Sequence, residues 1–241
     1  MKYNVIYADP PWSFNDGIRH SETLKFRKLE DHYETMSLAE ICSLPIKDIA
    51  ENPCVLFLWT TDAHLEDAMS VISNWGFQYK TIGFIWNKKT KNGKQVCFMG
   101  KWTMKGSEIC LLATRGAAHK LLRVFNVRQL VEAERGVHSQ KPIEVMRRIE
   151  EMFGDVPKIE LFARSKRAGW HTWGNELEND VEFCNINESW KSKLIQQLKH
   201  GLHSGTIKRA DANELCLLMR ENKPFRLLYN QQRGYVGIQY Y

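Results

Sequence analysis

The sequence predicts an α/β fold in which helices flank a mainly parallel sheet. Short continuous apolar runs, typical of strands buried on both faces, alternate along the chain with amphipathic segments of helical periodicity. The chain has 241 residues, 43% of them hydrophobic, enough for one α/β domain and a small extension. No apolar run approaches the roughly 20 residues that span a bilayer. The N-terminus has no basic-then-apolar leader, so we expect a cytoplasmic protein that does not contact a membrane.

Five apolar runs are predicted as strands of the sheet. They are residues 5–8, 55–59, 77–86, 108–113 and 158–163. The first run ends at Pro10 and Pro11, because proline has no N–H to donate to a strand ladder. Ligands bind such sheets at the carboxyl ends of the strands, so we expect Asp9, Thr60 and Arg164 to lie at one edge.

Three helices are predicted from apolar periodicity and capping residues. They are residues 37–42, 65–75 and 143–153. Ser37 followed by Glu40 is the pattern of a capping box at the first helix. Asp62 is predicted to cap the second helix and Gly76 to end it, and Gly154 ends the third.

A polar stretch at residues 179–187 marks a domain boundary. We therefore predict a catalytic domain over residues 1–180 and a basic extension over residues 185–241. The extension has two predicted helices and two predicted strands, at residues 190–200, 210–221, 225–229 and 235–240. This order fits a small winged-helix-like module, and it fits a packing or dimerisation extension equally well.

Positive charge is concentrated in two parts of the chain. Residues 1–79 carry a net charge of −6, residues 80–128 carry +10, and residues 185–241 carry +5. Basic segments set against an acidic start indicate a bound polyanion, although a solvated basic face without a partner is the alternative. The loop at residues 88–105, which has six lysines and Trp102, is the predicted contact with nucleic-acid phosphates.

Two common kinds of site are not indicated by the sequence. The six cysteines include no Cys-x-x-Cys pair, and no histidines cluster at metal spacing, so we expect neither a metal nor disulfides. No Gly-x-Gly-x-x-Gly follows the first strand, so the dinucleotide-binding fingerprint is absent.

The stretch Asp9-Pro10-Pro11-Trp12 carries the clearest chemical signal. An exocyclic aromatic amine is a weak nucleophile, because its lone pair is delocalised into the ring. The Asp9 carboxylate and the Pro10 carbonyl can accept its two N–H bonds and aim the lone pair at an electrophilic methyl group. Trp12 offers a flat face on which an extruded base can stack. The plainer alternative is a strand that ends in a Pro-Pro turn with a core tryptophan.

Six further motifs accompany this tetrapeptide, in a fixed order over residues 3 to about 178. They are residues 32–37 (His-Tyr-Glu-Thr-Met-Ser), 56–61 (Leu-Phe-Leu-Trp-Thr-Thr), 106–111 (Gly-Ser-Glu-Ile-Cys-Leu), 138–142 (His-Ser-Gln-Lys-Pro), 160–164 (Glu-Leu-Phe-Ala-Arg), and 169–176, which contains Gly-Trp and Trp-Gly-Asn-Glu. Together they resemble the DPPW-type adenine-N6 methyltransferases. That family includes the catalytic subunit of the messenger-RNA adenosine methyltransferase and short bacterial and phage relatives.

The resemblance implies a Rossmann-like fold with a permuted motif order and S-adenosylmethionine as cofactor. It implies methylation of the N6 amine of adenine in nucleic acid. We prefer DNA, because the chain resembles the short stand-alone members more than the long RNA-modifying ones. RNA methylation, cytosine-N4 methylation and a catalytically silent binding subunit of a methyltransferase complex are the alternatives. A second copy of the chain or a related methyltransferase subunit is a further candidate partner.

The resemblance also implies roles for individual residues. The catalytic group is Asp9, Pro10, Pro11 and Trp12. The predicted substrate contacts are Tyr33 and Glu108, to which the basic loop adds Trp102 and Lys105. The predicted cofactor contacts are Lys141, Glu160, Leu161, Phe162, Arg164, Asn175 and Glu176. These types suit the cofactor, because a carboxylate accepts from ribose hydroxyls and a cation pairs with the methionyl carboxylate.

Overall fold

The computed structural model describes residues 1–13, 35–100, 102–136, 140–181 and 183, and the backbone of two strands at residues 225–230 and 234–240. The chain divides into two compact units, Met1–Glu182 and Phe183–Tyr241. The helices predicted at residues 190–200 and 210–221 lie outside the described residues. The assignment of residues 1–180 as a catalytic domain and of residues 185–241 as a basic extension therefore stays a prediction.

A seven-stranded sheet in the described part of the first unit confirms the predicted α/β fold. The strands are β1 (Tyr3–Ala8), β2 (Ala50–Thr60), β3 (Gln78–Lys89), β4 (Ser107–Arg115), β5 (Leu130–Glu134), β6 (Lys158–Leu161) and β7 (His171–Trp173). Their order across the sheet is β5-β3-β4-β2-β1-β6-β7. Sequence analysis did not predict β5 and β7, which are only five and three residues long.

One strand of this sheet, β4, runs opposite to its neighbours. It pairs antiparallel with both β2 and β3, whereas the β1–β2, β1–β6, β6–β7 and β3–β5 pairs are parallel. The chain returns from β3 to β4 through a hairpin-like loop instead of a crossover helix, and this connection makes the pair antiparallel. As a result β1, β2, β3 and β6 end, and β4 begins, at one side of the sheet, here named the carboxyl edge.

The described helices of this unit are α1 (Leu38–Ser43), α2 (Ile46–Ile49), α3 (Leu65–Asn74) and α4 (Ile143–Phe153). The predicted capping box is present at α1, where Ser37 and Glu40 exchange both hydrogen bonds. Gly76 and Gly154 end α3 and α4 with φ angles of +78° and +64°. The cap predicted at Asp62 is wrong, because Asp62 begins a 3₁₀ turn (Asp62–His64) and no side chain caps α3.

Both faces of the sheet are buried by packed side chains. On one face, Phe57 of β2 lies 5.7 Å from Phe84 of β3 and 6.0 Å from Phe153 of α4, measured between ring centroids. On the other, the fully buried Trp75 donates its indole N–H to the carbonyl of Ile41 in α1 at 2.8 Å. Burying a side chain of this size contributes about 1.5–3 kcal/mol, so both layers hold the sheet in place.

The second unit contains the predicted pair of strands, β8 (Phe225–Asn230) and β9 (Gly234–Tyr240). They pair antiparallel, which confirms the predicted hairpin. Over the described parts of the chain, no helix has the length and apolar character needed to cross a membrane.

Candidate active site

Asp9 follows the last residue of β1 and therefore lies at the carboxyl edge. Because side chains alternate along a strand, Asp9 shares the face of Tyr7, which packs in the cluster that contains the α4 core residues. Lys141, just before α4, places its Nζ 2.7 Å from Asp9 Oδ2. The Asp9 side chain is 28% exposed and that of Lys141 is 11% exposed, so this ion pair stands at the rim of the core.

The ion pair extends into a chain of four alternating charges. Lys141 Nζ also lies 3.2 Å from Oε2 of Glu108, near the start of β4. The other oxygen of Glu108, Oε1, is 2.5 Å from Nζ of Lys88, near the end of β3. The Lys88 and Glu108 side chains are only 14% and 13% exposed. Two cations balance two carboxylates, which allows such largely buried charges to persist.

The rings of two tryptophans pack against the two lysines. Lys141 Nζ is 5.4 Å from the ring centroid of Trp59, and Lys88 Nζ is 5.0 Å from that of Trp86. The two rings meet edge to face with centroids 6.5 Å apart. The negative faces of these rings attract the cations and help to hold both ammonium groups in place.

Burial and charge pairing set the protonation of this cluster. Burial raises the pKa of Asp9, although the neighbouring Lys141 acts to lower it. Burial acts to raise the pKa of Glu108 too, but Lys141 and Lys88 together bring it below the ordinary value. For Lys141, burial opposes the charge, yet Asp9 and Glu108 raise its pKa above the ordinary value. The lysine is thus a fixed cation, and Asp9 is the carboxylate with the greater tendency to take a proton.

The two prolines after Asp9 turn the chain sharply. The carbonyl of Pro10 accepts a hydrogen bond from the backbone N–H of Trp12 at 2.9 Å. The carbonyl of Pro11 accepts one from the N–H of Met36, also at 2.9 Å. The turn is thereby tied to the chain that leads into α1.

Trp12 is placed differently from the sequence-based expectation. Its ring is only 7% exposed, lies stacked on His64 with centroids 5.5 Å apart, and donates its indole N–H to the carbonyl of Trp59 at 3.2 Å. A ring held in this way has no open face for an extruded base. The expected stacking of a base on Trp12 does not fit this placement, in which the ring instead ties the turn after Asp9 to β2.

Glu160 of β6 lies directly beside Tyr7 of β1 in the parallel register, so it adjoins Asp9 across two neighbouring strands. Burial, with a contribution from Asp9, raises the pKa of Glu160 to about 7, while Arg167 acts to lower it. No described residue donates a hydrogen bond to this half-buried carboxylate. An acceptor in that state fits a ligand that brings hydroxyl groups, as the ribose of S-adenosylmethionine does.

The chain after β6 forms a tight turn that groups several predicted cofactor residues. Phe162 adopts a positive φ of 62°, and the N–H of Ala163 donates to the carbonyl of Trp173 at 2.9 Å. A Cβ at Gly174 would stand 2.1 Å from the Ala163 carbonyl oxygen, so only glycine fits there.

The remaining predicted cofactor residues fall into two groups. The exposed group contains Asn175 and the pair Arg164 and Glu176, whose Nε and Oε1 are 3.8 Å apart. Leu161 is fully buried, so its side chain belongs to the core and only its backbone can reach a ligand. The predicted cofactor contact at Leu161 stays a prediction, limited to its backbone.

The predicted substrate residues do not all come together. Tyr33 lies outside the described residues, and Glu108 lies in the charged chain. Lys105 forms an ion pair with Asp62, which follows β2 at the carboxyl edge. Trp102 is 97% exposed on the loop between β3 and β4.

The basic loop predicted at residues 88–105 needs a correction. β3 continues to Lys89, so the loop proper is residues 90–106, here named the β3–β4 loop. Lys88 is engaged by Glu108, and Nζ of Lys89 lies 2.7 Å from Oε1 of Glu132. Neither lysine is therefore free to hold phosphate. Lys91 and Lys94 are exposed, and Lys101 lies outside the described residues.

Sequence reasoning missed Lys88, Trp59 and Trp86 as parts of this site. The alternation of side chains along a strand could have indicated Lys88. Lys88 follows Trp86 by two residues and therefore lies on the same face of the strand. Trp59 was hidden in a continuous apolar run, in which the two faces look alike. Within the described ranges, no three His, Cys, Asp or Glu side chains are grouped to hold a metal ion.

Comparison with known proteins identifies relatives over most of the first unit. A family model described as MT-A70 matches residues 3–176. The chain is 36% identical over 205 residues to the Type II methyltransferase M.MunI from a Mycoplasma species, which covers 80% of this chain and 85% of that protein. These findings confirm the resemblance predicted from the motifs.

Longer relatives match over the same region. The chain is 30% identical over 182 residues to the N(6)-adenosine-methyltransferase MT-A70-like protein of Drosophila melanogaster, covering 73% of this chain and 27% of that protein. It is 28% identical over 182 residues to the N(6)-adenosine-methyltransferase catalytic subunit METTL3 of Homo sapiens, covering 73% of this chain and 28% of that protein. The chain thus spans about a quarter of these longer relatives and most of M.MunI.

Proposed function

The chain belongs to the MT-A70 family, and we propose that it is an S-adenosylmethionine-dependent methyltransferase that modifies the N6 amine of adenine in DNA. The observation that carries this proposal is the Asp9 carboxylate at the carboxyl edge, held at 2.7 Å by Lys141 within an otherwise neutralised charge cluster. Such a carboxylate is an oriented hydrogen-bond acceptor in a partly desolvated site. Methylation of a weakly nucleophilic amine requires an acceptor of this kind.

Asp9 has two oxygens with different tasks. Oδ2 is fixed by Lys141, whereas no described residue donates to Oδ1, which can accept one N–H of the adenine amine. The Pro10 carbonyl already accepts from the Trp12 N–H, and its second lone pair can accept the other N–H of the amine. The nitrogen would take the methyl group as the carbon–sulfur bond of the sulfonium breaks and a neutral thioether leaves. Asp9 would stabilise the positive charge that develops on the nitrogen and take the released proton. The raised pKa of Asp9 favours this last step.

The cofactor residues of the proposal lie beside Asp9. S-adenosylmethionine supplies an electrophilic sulfonium methyl group. Glu160, next to β1 and without a hydrogen-bond donor in the described residues, would accept from ribose hydroxyls. Arg164 is the cation that would orient the methionyl carboxylate, and Lys141, already held by Asp9 and Glu108, would add positive charge nearby. Asp9 and Glu160 come from neighbouring parallel strands, so substrate and cofactor would meet across the β1–β6 boundary.

DNA is favoured over RNA by the pattern of relatives. The chain aligns with 85% of a Type II methyltransferase, but with 27% and 28% of the two N(6)-adenosine-methyltransferases compared. The chain thus matches nearly the whole of a short methyltransferase but only a segment of the longer adenosine methyltransferases. We place the enzyme in the cytoplasm, where its nucleic-acid substrate and cofactor are both present.

The proposal is tested by tritium-methyl transfer from labelled S-adenosylmethionine to duplex DNA, single-stranded DNA and RNA, followed by nucleoside analysis. We expect label in N6-methyladenine, with DNA preferred. Asp9→Ala should lower turnover by about 10²–10⁴-fold, the range typical of an oriented acid–base group. Asp155→Ala is the matched control, because Asp155 is an exposed aspartate beyond the far end of α4.

The outcomes separate the alternatives. Label in RNA alone would replace DNA by RNA as the substrate. Cofactor binding without label in any polymer would indicate a silent subunit or a missing partner. An Asp9→Ala variant that stays as active as Asp155→Ala would refute the role of Asp9.

A further inference from the structure

The tip of the β3–β4 loop exposes large apolar side chains to solvent. Trp102 is 97% exposed, Met99 88%, Met104 57% and Phe98 41%. Single exposed apolar residues are common, but four within seven positions mark a contact surface. Trp102 is the largest of the four, and the charged cluster and the core make no use of it.

The loop is anchored at the carboxyl edge. Phe98 and Lys105 exchange two backbone hydrogen bonds of 2.7 and 2.8 Å, and the Lys105 side chain pairs with Asp62. The guanidinium of Arg135 lies 5.3 Å from the ring centroid of Phe98. Trp102 precedes Glu108 by six positions, which limits the distance between their Cα atoms to about 20 Å of extended chain. The loop that carries Trp102 is thus rooted at the same edge of the sheet as Asp9.

The charge of this loop indicates which partner it meets. Residues 90–106 contain four lysines and no acidic residue. Lys91 and Lys94 are exposed in the same loop as Trp102. An aromatic ring near exposed lysines such as Lys91 and Lys94 is the combination that binds nucleic acid, with the cations on phosphates and the ring among the bases.

We propose that Trp102 is a wedge that enters the base stack of duplex DNA at the place from which the target adenine is extruded. This inference rests on the proposed function and goes beyond it, because it makes paired DNA the substrate form for which the loop is built. A base that leaves a duplex loses its stacking and pairing, and an inserted apolar side chain replaces part of that stacking. Trp12 cannot do this, since it is held against His64.

The test compares one genomic DNA preparation in native and heat-denatured form, so no target sequence has to be known. Methyl transfer and DNA binding are measured for the wild type, Trp102→Ala and Trp102→Phe. We expect Trp102→Ala to lower kcat/KM on the native duplex about tenfold or more, the scale of one lost base–aromatic stack. On denatured DNA the loss should be much smaller, and Trp102→Phe should recover part of the duplex activity.

Phe125→Ala is the matched control. Phe125 is 88% exposed, but it follows β4 and precedes β5, so it lies on the side of the sheet away from the carboxyl edge. Its substitution should leave both DNA forms unaffected.

Several results would overturn the wedge. Equal losses on native and denatured DNA would indicate general binding, and a Trp102→Ala variant with an altered oligomeric state would indicate a protein interface. The binding measurement tests the wedge independently of turnover. A wild type that binds duplex DNA without methylating it would contradict the proposed function. In that case, a Trp102→Ala variant that loses binding to duplex DNA only would still support the wedge. A wild type that binds no DNA would contradict both.

Discussion

Glu160 should make cofactor affinity depend on pH near neutrality. Its pKa is raised to about 7, first by burial and then by Asp9. The ionised carboxylate accepts hydrogen bonds from ribose hydroxyls, whereas the protonated form loses acceptor capacity. Cofactor affinity is therefore expected to fall as the pH falls through 7, and Glu160→Gln should remove that dependence.

The size of the effect follows from the pKa. With a pKa of about 7, roughly one-tenth of Glu160 is ionised at pH 6 and roughly nine-tenths at pH 8. If only the ionised form binds well, affinity changes about tenfold over those two pH units.

Stability of the free protein should move in the opposite direction. A folded-state pKa above the ordinary 4.5 stabilises the protein at low pH, and that contribution is lost as the pH rises through about 7. The full difference corresponds to about 3 kcal/mol.

Isothermal titration with S-adenosylhomocysteine at pH 6, 7 and 8 measures the affinity of wild type and Glu160→Gln. The ligand's own amino group titrates identically against both proteins, so the difference between them isolates Glu160. Glu151→Gln, an exposed substitution on α4, serves as the control and should behave as the wild type. Equal pH dependence in wild type and Glu160→Gln would refute the assignment of Glu160 to the cofactor.

Two further predictions concern stability and are measured by urea unfolding. Lys88→Met should destabilise the protein by about 2–3 kcal/mol, because it leaves a buried carboxylate with one cation instead of two. The neighbouring Lys89→Met, which breaks a more exposed pair, should leave the unfolding midpoint nearly unchanged; similar losses for both would contradict the buried charge chain. Glu150→Ala should cost about 2 kcal/mol, since it breaks the bonds of 2.9 and 3.1 Å from Arg167 and leaves the buried indole N–H of Trp170 without its 2.7 Å acceptor. A wild-type midpoint for Glu150→Ala would show that water replaces this carboxylate at no cost.

The local features of the fold were predictable because they depend on neighbours in sequence. Apolar runs predicted five of the strands, and periodicity with glycine stops predicted α3 and α4 to within a residue or two. Ser37 and Glu40 interact across three positions, so their capping box could be read directly from the chain. A local pattern fails where one residue type fits two roles. An aspartate before a helix can cap the helix or form an ion pair, and Asp62 pairs with Lys105.

The sequence by itself determined the fold class, the family and the position of Asp9 at the end of a buried strand. Only the tertiary structure decided what surrounds Asp9. Lys141 is 132 residues away in the chain, and it reaches Asp9 because α4 packs on the face of the sheet that β1 presents. The direction of Lys88 into the site depends on the register of β3 against the reversed strand β4. Periodicity records which side chains share a face, but strand order and register arise from packing between distant segments, and these bring the charges of the site together.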